Sequence, residues 1–290
     1  MDTRVQPEPA ACRTGHLARL RRSDREHHRT QPRSYLEHAR DYLRLDLDLA
    51  SLTGADERWN RQEAILDPAR SVGATAEAQQ LRSVADDLRT ELYIRAPELI
   101  AATSRAEWFR AETHLTAGLG LLRYHKQAAQ PLEHSARVSR LLAVRDALMA
   151  QNLLDIRRIE ARRGPTLVYA HNLHLQRGSS RMRMPELDLD WFCAGAIVGS
   201  LVGEQYTFIA GSLGRSAALD LPDPEPDTYE GLLQARTSGW GLSTADAVGT
   251  AHRRDDTSPE RGYFPLEEAT VGSADAILHI SEGTTAAGAG

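Results

Sequence analysis

The sequence contains very little cysteine, and this excludes several kinds of protein. Its two cysteines, Cys12 and Cys193, allow at most one disulfide bridge and no cysteine-based zinc site. This usage suits a reducing compartment, and we expect a cytoplasmic protein. No apolar run approaches the roughly 18 residues that span a bilayer, and residues 1–31 are charged throughout, which argues against membrane and secreted proteins. The net charge of −5 argues against a general nucleic-acid binder.

Large apolar residues are also scarce at the start of the chain. The whole chain of 290 residues is 41% hydrophobic and 26% charged, which is enough for one large domain or two small ones. Residues 1–34, however, are rich in arginine and histidine and cannot bury enough apolar surface to become ordered. We expect a disordered or misassigned leader here. A basic arm that binds an acidic partner is the alternative.

Residues 35–163 show the periodicity of helices. Between Tyr35 and Ala50 a strand pattern competes with a helical one, and the lack of β-branched residues favours helix. A second helix is predicted by an apolar stripe formed by Leu81, Val84, Ala85, Leu88 and Leu92. A third stripe, between Val138 and Ile159, predicts a helix of roughly seven turns that Gly164-Pro165 ends.

Two polar residues interrupt this last stripe. Arg145 and Asn152 are seven positions apart and therefore lie on nearly the same face of the predicted helix. Because buried polar groups need partners, each is either a satisfied core residue or part of the lining of a polar site. We expect at least one of them to contact the loop at His171.

After Gly164-Pro165 the pattern changes to strands and turns. The apolar run 166–170 predicts a buried strand that delivers His171 and His174 at its carboxyl end. The other expected elements are a loop at 176–183, a helix at 191–202 and buried strands at 205–210 and 275–280.

Helices followed by strands that alternate with helix predict an α/β fold. We expect one domain over residues 35–280, in which a sheet with flanking helices joins a helical subdomain at about 35–163. The sheet is expected to be incomplete in this chain. Residues 281–290 are small and are expected to form a disordered tail.

The segment His171-Asn172-x-His174 is the most informative polar cluster. Ligand sites of open α/β sheets gather beyond the carboxyl ends of strands, where this segment is predicted to fall. Imidazoles there can transfer protons or donate hydrogen bonds to an oxyanion. The simpler interpretation is that both histidines cap the strand and bond to backbone.

Other chemistry has weaker support in the sequence. The two histidines could bind zinc, but no His-Glu-x-x-His pattern and no nearby cysteine completes a ligand set, so no metal or cofactor is expected. Ser212 lacks the Gly-x-Ser-x-Gly spacing of a nucleophile elbow, and a serine in a turn is the better interpretation.

Two segments together resemble a known family. One is the stretch 145–154 with its Asn-Leu-Leu, and the other is Leu-Val-Tyr-Ala-His-Asn-Leu-His at 167–174. This pairing is similar to the erythromycin esterase-like family, and weaker similarity at 203–211 and 275–280 extends it over roughly residues 35–280. The resemblance implies an α/β hydrolase of carboxylic esters, with macrolide lactones as the best-known substrates.

The resemblance also implies a site. His171 and His174 correspond to the two histidines of the family's active-site cleft, and Asn172 between them is expected to bind substrate. The attacking group in the family is water activated by a histidine base. The family's Gly-Glu-x-x-His-Gly motif, which carries the base, does not occur in residues 1–290. We therefore expect a truncated member that hydrolyses esters poorly, whereas a chain extended upstream is expected to be active.

Two other interpretations remain open. The chain could be a non-catalytic fragment or binding module that needs a partner chain, or a histidine-based metalloenzyme. The partner expected for the hydrolase is a small ester or lactone, with no nucleic acid and no membrane. An incomplete sheet also leaves self-association open, because an exposed strand edge and apolar face favour it.

Overall fold

Eight helices precede the first strand in the described part of the chain, and the first seven form its helical part. The computed structural model describes residues 31–184, 186–249, 251–257 and 262–283, so most of the predicted leader and tail lies outside the described residues. The helices are α1 Arg33–Leu43, α2 Leu49–Thr53, α3 Glu63–Leu66, α4 Ala76–Ile94, α5 Ala96–Ala102, α6 Arg105–Ala128 and α7 His134–Glu160. Short 3-10 turns at Asp56–Arg58, Pro68–Arg70 and Val72–Ala74 connect some of them.

Strands and short helices alternate after α7. They are α8 Asn172–Leu175, β1 Ser179–Met184, β2 Leu187–Phe192, α9 Ala194–Val202, β3 Ile209–Arg215, α10 Tyr229–Gln234, β4 Trp240–Ser243, α11 Glu268–Ser273 and β5 Ala276–Glu282. The mixed α/β class with a helical part is therefore confirmed. No helix within the described ranges is both long and apolar enough to cross a membrane.

The first helices share one apolar core. Leu81, Ala85, Leu88 and Leu92 of α4 are buried, which confirms the helix predicted from this stripe. Each fully buried leucine stabilises the fold by about 1.5 to 3 kcal/mol. The helical interpretation of the segment from Tyr35 is confirmed by α1. The chain leaves the helical conformation after Leu43, before α2 begins.

The long helix α7 is also confirmed, and a buried arginine fixes its start. The guanidinium of Arg137 donates to the backbone oxygens of Ile65 at 2.8 Å, Gln130 at 2.7 Å and Ala64 at 2.6 Å. Arg137 is only 1% exposed, so these carbonyl groups replace its lost hydration. Gly164, with φ at +118°, and Pro165 follow the end of the helix as predicted.

Two small sheets complete the fold. Strands β1 and β2 form an antiparallel hairpin in which Met182 pairs with Leu189. The second sheet has the order β3-β5-β4, with β5 parallel to β3 and antiparallel to β4. The strand predicted at 275–280 is confirmed as β5, which continues to Glu282, two residues into the predicted tail.

Three sequence-based boundaries are wrong. The predicted loop at 176–183 contains β1, because its residues gain cross-strand partners in β2. The helix predicted from 191 begins at Ala194, since Trp191 belongs to β2. The strand predicted at 205–210 begins only at Ile209 and runs to Arg215, so Ser212 lies in a strand and not in a turn.

The strand predicted at 166–170 is not formed, and this is the largest correction. These residues have no regular secondary structure, and the side chains of Leu167 and Tyr169 are 90% and 100% exposed. A strand needs a neighbour for its backbone groups, but side chains occupy the outer edge of β3. The Asn172 carboxamide makes two 2.8 Å bonds with the N–H and C=O of Gly211, and Tyr263 Oη accepts from Leu213 N–H at 3.2 Å.

One face of the three-stranded sheet is exposed and apolar. Strand residues alternate between the two faces, so Ala210 and Ile277 are buried while their neighbours point outward. The outward side chains include Ile209, Ile280, Trp240 and Leu242, which are 45%, 42%, 70% and 60% exposed. We name this the outer sheet face. Apolar surface of this extent on a sheet is typical of an interaction site.

A buried polar network lies on the opposite face. His279 of β5 is fully buried, with Nδ1 2.9 Å from Ser212 Oγ and Nε2 2.8 Å from Gln234 Oε1. Because the glutamine oxygen only accepts, we assign the imidazole proton to Nε2, and the Ser212 hydroxyl then donates to Nδ1. Burial lowers the pKa of His279 to about 4, so the ring is neutral at pH 7.

His279 makes the fold sensitive to mild acid. The pKa of His279 in the folded chain lies below the ordinary value of 6.5. Its contribution to the stability of the fold is therefore complete above pH 6.5 and is lost as the pH falls to about 4. We expect this group to lower the free energy of unfolding by about 3 kcal/mol across that interval. Urea unfolding of the parent and of His279→Gln at several pH values measures the difference between their pH slopes.

The control for this experiment is His134→Gln, which changes an exposed histidine at the start of α7. The slope difference expected for His279→Gln does not depend on how much stability that variant loses at neutral pH. Parallel pH profiles for the parent and His279→Gln would contradict the assignment of His279 as the titrating group.

Candidate functional site

The histidine segment forms the short helix α8 and the turn before it. His171 is the N-cap residue of α8, with an extended backbone, and its Nδ1 accepts a hydrogen bond from Leu173 N–H at 3.2 Å. The backbone N–H of His174 donates to the His171 carbonyl at 2.9 Å, which brings the two histidines into one helical turn. Asn172 ties this turn to the edge of β3 through Gly211.

A cavity of about 480 Å³ opens beside this turn. It is lined by His171, Asn172, Leu173, Arg181, Met182, Arg183, Arg253, Phe264, Pro265, Glu267 and Thr270. Most of these side chains are polar or charged, and Leu173, Met182, Phe264 and Pro265 form its apolar part. Sequence reasoning expected His171 and His174 to share a cleft, but His174 is not part of this lining.

The His171 ring packs edge-to-face on Phe264, with the ring centroids 4.7 Å apart. Partial burial, and then the nearby His174, lower the pKa of His171 below its ordinary value, so it is neutral at pH 7. Since Nδ1 accepts from Leu173, the proton of the neutral ring is assigned to Nε2. His171 is therefore a hydrogen-bond donor through Nε2.

His174 is held by a buried carboxylate. Its Nδ1 lies 2.8 Å from Oδ1 of Asp146, and the other oxygen of Asp146 accepts from the indole N–H of Trp191 at 2.5 Å. Asp146 is fully buried on α7, and the side chain of His174 is 19% exposed. A carboxylate at Nδ1 places the ring proton there and leaves Nε2 with a lone pair. His174 is therefore a proton acceptor through Nε2.

The two polar residues singled out in the α7 stripe do not build this site. Arg145 and Asn152 are both exposed, and the prediction that one of them contacts the His171 loop is wrong in its choice of residue. The contact is made by Asp146, which follows Arg145 directly. The sequence held a signal for it, because Asp146 falls in an apolar row with a spacing of four, formed with Val138, Leu142 and Ala150.

The site is not arranged as a metal centre. Among the described residues, no group of three or more histidine, cysteine or acidic side chains is placed to hold a metal ion. The buried nucleophiles are committed elsewhere, since Ser212 belongs to the His279 network and the Cys193 thiol donates to the Gln176 carbonyl at 3.0 Å. Burial also raises the pKa of the Cys193 thiol. The arrangement suits proton transfer by histidine.

Solved structures share this fold at low sequence identity. An erythromycin esterase mutant, EreC with a histidine-to-asparagine substitution in its open conformation, superposes with a TM-score of 0.54 at 18% identity, over 87% of this chain and 66% of EreC. A succinoglycan biosynthesis protein gives 0.52 at 13% identity, over 86% of this chain and 57% of that one. A Bacillus cereus protein superposes with a TM-score of 0.53 at 13% identity, over 87% of this chain and 65% of that protein.

These structures show the fold, and the chain spans between 57% and 66% of their lengths. No curated protein matches the sequence. A sequence profile described as erythromycin esterase matches residues 28–289, which is nearly the whole chain. On this match, the chain belongs to the erythromycin esterase family.

Proposed function

We propose that this member of a hydrolase family hydrolyses carboxylic esters with His174 as the general base. The observation that carries the proposal is the Asp146–His174 pair, one helical turn from the cavity residue His171. Sequence reasoning found no base and therefore expected little activity. The pair supplies a base, and we propose a measurable activity in place of that expectation.

The reaction follows from the two proton assignments. His174 Nε2 takes a proton from water as the water oxygen attacks the carbonyl carbon of the ester. Asp146, as a neighbouring anion, stabilises the imidazolium that forms. When the tetrahedral intermediate collapses, the same proton passes to the leaving alkoxide, so that acid and alcohol are the products. His174 is outside the cavity lining, whereas His171 in the same turn is part of it. The attacking water would therefore lie between His174 Nε2 and the cavity.

His171 would act on the carbonyl oxygen. A neutral imidazole that carries its proton on Nε2 donates a hydrogen bond to the developing oxyanion, and such a donor contributes about 10² to 10³-fold to the rate. Its lowered pKa keeps the ring in this neutral form at pH 7. We therefore assign His171 as the oxyanion donor.

Asn172 would support substrate binding through position. Its carboxamide is engaged on both atoms by Gly211, which fixes the turn that carries His171 against the sheet. Asn172 also lines the cavity. We propose that it contributes a wall of the substrate site and holds His171 in place.

We propose carboxylic esters as the substrate class, with macrolide lactones as the first to test. Support comes from family membership and from EreC, which is named as an erythromycin esterase. Resistance to a macrolide antibiotic would be the biological consequence. The apolar side chains of the lining, such as Met182 and Phe264, would contact the hydrocarbon part of such a substrate.

Asp146→Asn is expected to lower kcat by about 10²-fold or more. An asparagine at 146 keeps the shape and can still accept from Trp191, but its amide then donates to His174 Nδ1 and moves the imidazole proton to Nε2. His174→Ala should lower kcat to a similar extent. Hydrolysis of p-nitrophenyl acetate and opening of a macrolide lactone give the two readouts.

The matched control is Asp155→Asn, the same change on the same helix about 13 Å further along its axis. We expect this control to retain the parent kcat. The loss in Asp146→Asn should appear in kcat with KM within about threefold of the parent, because a positioned base acts in the transition state. Unchanged kcat in both Asp146→Asn and His174→Ala, or no hydrolysis of either substrate by the parent, would contradict the proposal.

The outer sheet face favours a second candidate role, in which the chain associates with a second copy of itself. Trp240 and Leu242 of β4 are exposed next to Ile280 of β5, and stable interfaces have apolar centres of this kind. The edge of β3 is closed by Asn172 and Tyr263. Association would therefore use the face of the sheet and not the edge of β3.

Replacing both Trp240 and Leu242 by serine is expected to abolish self-association without loss of stability, since exposed side chains contribute little to folding. Sedimentation velocity over a range of concentrations compares this variant with the parent. Ile94→Ser changes an apolar side chain that is 68% exposed on α4, outside the sheet, and should associate like the parent. A parent that stays monomeric at every concentration would contradict this role.

A further inference from the structure

A second cavity lies between α6 and α7 and shares no residue with the one at His171. Its volume is about 340 Å³. Three cations line it, namely Arg123, Lys126 and Arg140. Its apolar wall is formed by Val144, Ala147 and Leu148. We name it the α6/α7 groove.

The helical repeat brings these residues together. Arg123 and Lys126 are three positions apart on α6 and so share one face of that helix. On α7, the apolar wall residues lie four, seven and eight positions after Arg140, so they share a face with it. The helices approach closely beside the groove, where a Cβ added at Gly120 would lie 3.3 Å from Leu148 Cδ2. The groove is therefore part of a fixed contact between two long helices.

The positive charge of the groove is not compensated. Among the described residues, no acidic side chain lies within 4.0 Å of the charged nitrogens of Arg123, Lys126 or Arg140, and the lining contains no aspartate or glutamate. Within the described part of the chain, the guanidinium of Arg140 makes one hydrogen bond, to the neutral Gln127 Oε1 at 3.4 Å. By contrast, each arginine of the His171 cavity has an acidic partner.

The groove concentrates positive charge in a chain with a net charge of −5. Like charges in one groove repel each other, and an anion bound among them removes the repulsion and gains charge-assisted hydrogen bonds. The adjoining apolar wall offers a second kind of contact, which suits a ligand with both an anionic and an apolar part.

We propose that the α6/α7 groove binds an organic phosphate monoester. The phosphate would lie among the three cations, and the apolar group of the ester would lie on Val144, Ala147 and Leu148. A phosphate dianion matches three single positive charges better than a carboxylate does, and arginine and lysine are its usual protein partners. A volume of about 340 Å³ is near the lower end for ligand sites, so the ligand is small.

Phenyl phosphate is a suitable probe, because it joins a phosphate to a single apolar ring. Calorimetric titration of the full chain should give saturable binding of one equivalent with a Kd of about 1 mM or lower. Inorganic phosphate, which lacks the ring, and benzoate, which carries one charge, should each bind about tenfold or more weakly. Phenol should not bind. Affinity should fall as NaCl is raised, because exposed charges are screened.

Amino-acid substitutions in the groove show whether the probe binds there. The single changes Arg123→Gln, Lys126→Gln and Arg140→Gln should each raise the Kd about tenfold, which corresponds to the loss of one charged hydrogen bond. Arg89→Gln, an exposed arginine of α4, should leave the Kd unchanged. All four residues are exposed, so the thermal unfolding midpoint should not move.

Three results would overturn the inference. One is the absence of saturable binding by the parent. Another is a Kd that is unchanged when all three groove cations are replaced. The third is equal affinity for benzoate and phenyl phosphate, which would identify a general anion surface. None of these measurements depends on ester hydrolysis, so the groove can fail while the proposed function holds, or the reverse.

Discussion

One buried carboxylate joins the parts of this chain that carry its chemistry. Asp146 lies on α7, receives the indole N–H of Trp191 from β2 and holds His174 of α8. An unpaired charge at a fully buried position would cost several kcal/mol, so both partners must stay in place for the fold to be stable. The contact of α7 with β2 and α8 and the orientation of the candidate base therefore depend on the same three side chains.

Side chains, and not a further strand, take the backbone hydrogen bonds at one edge of the three-stranded sheet. At the outer edge of β3, Asn172 takes both backbone groups of Gly211 and Tyr263 takes the N–H of Leu213. These contacts satisfy hydrogen-bonding groups that would otherwise pair with another chain. The same Asn172 directly precedes Leu173 and His174, whose backbone N–H groups both bond to His171, so closure of the edge also positions the site. The outer face of the sheet keeps its apolar side chains exposed, and this makes the face the more accessible surface for a partner.

Tautomers, and not merely the presence of histidines, separate the two candidate roles. His171 accepts a backbone N–H at Nδ1 and so donates through Nε2, whereas His174 meets a carboxylate at Nδ1 and so accepts through Nε2. His279 shows the third outcome, in which both nitrogens are engaged in a buried network and the ring has no free nitrogen for catalysis. The neighbour of one ring nitrogen therefore decides what the other can do.

The sequence by itself determined the helices α4 and α7, the strand β5, the α/β class and the resemblance carried by the segment at His171. These features depend on local periodicity and on the helix-ending pair Gly164-Pro165, both of which act over a few residues. The tertiary structure decided that 166–170 is not a strand, that β1 forms, and that Asp146, and not Arg145 or Asn152, contacts the histidine segment. A strand exists only where another segment takes its backbone hydrogen bonds, and a buried carboxylate persists only where partners from distant segments meet it. Both conditions are set by contacts between residues far apart in the chain, which local patterns do not encode.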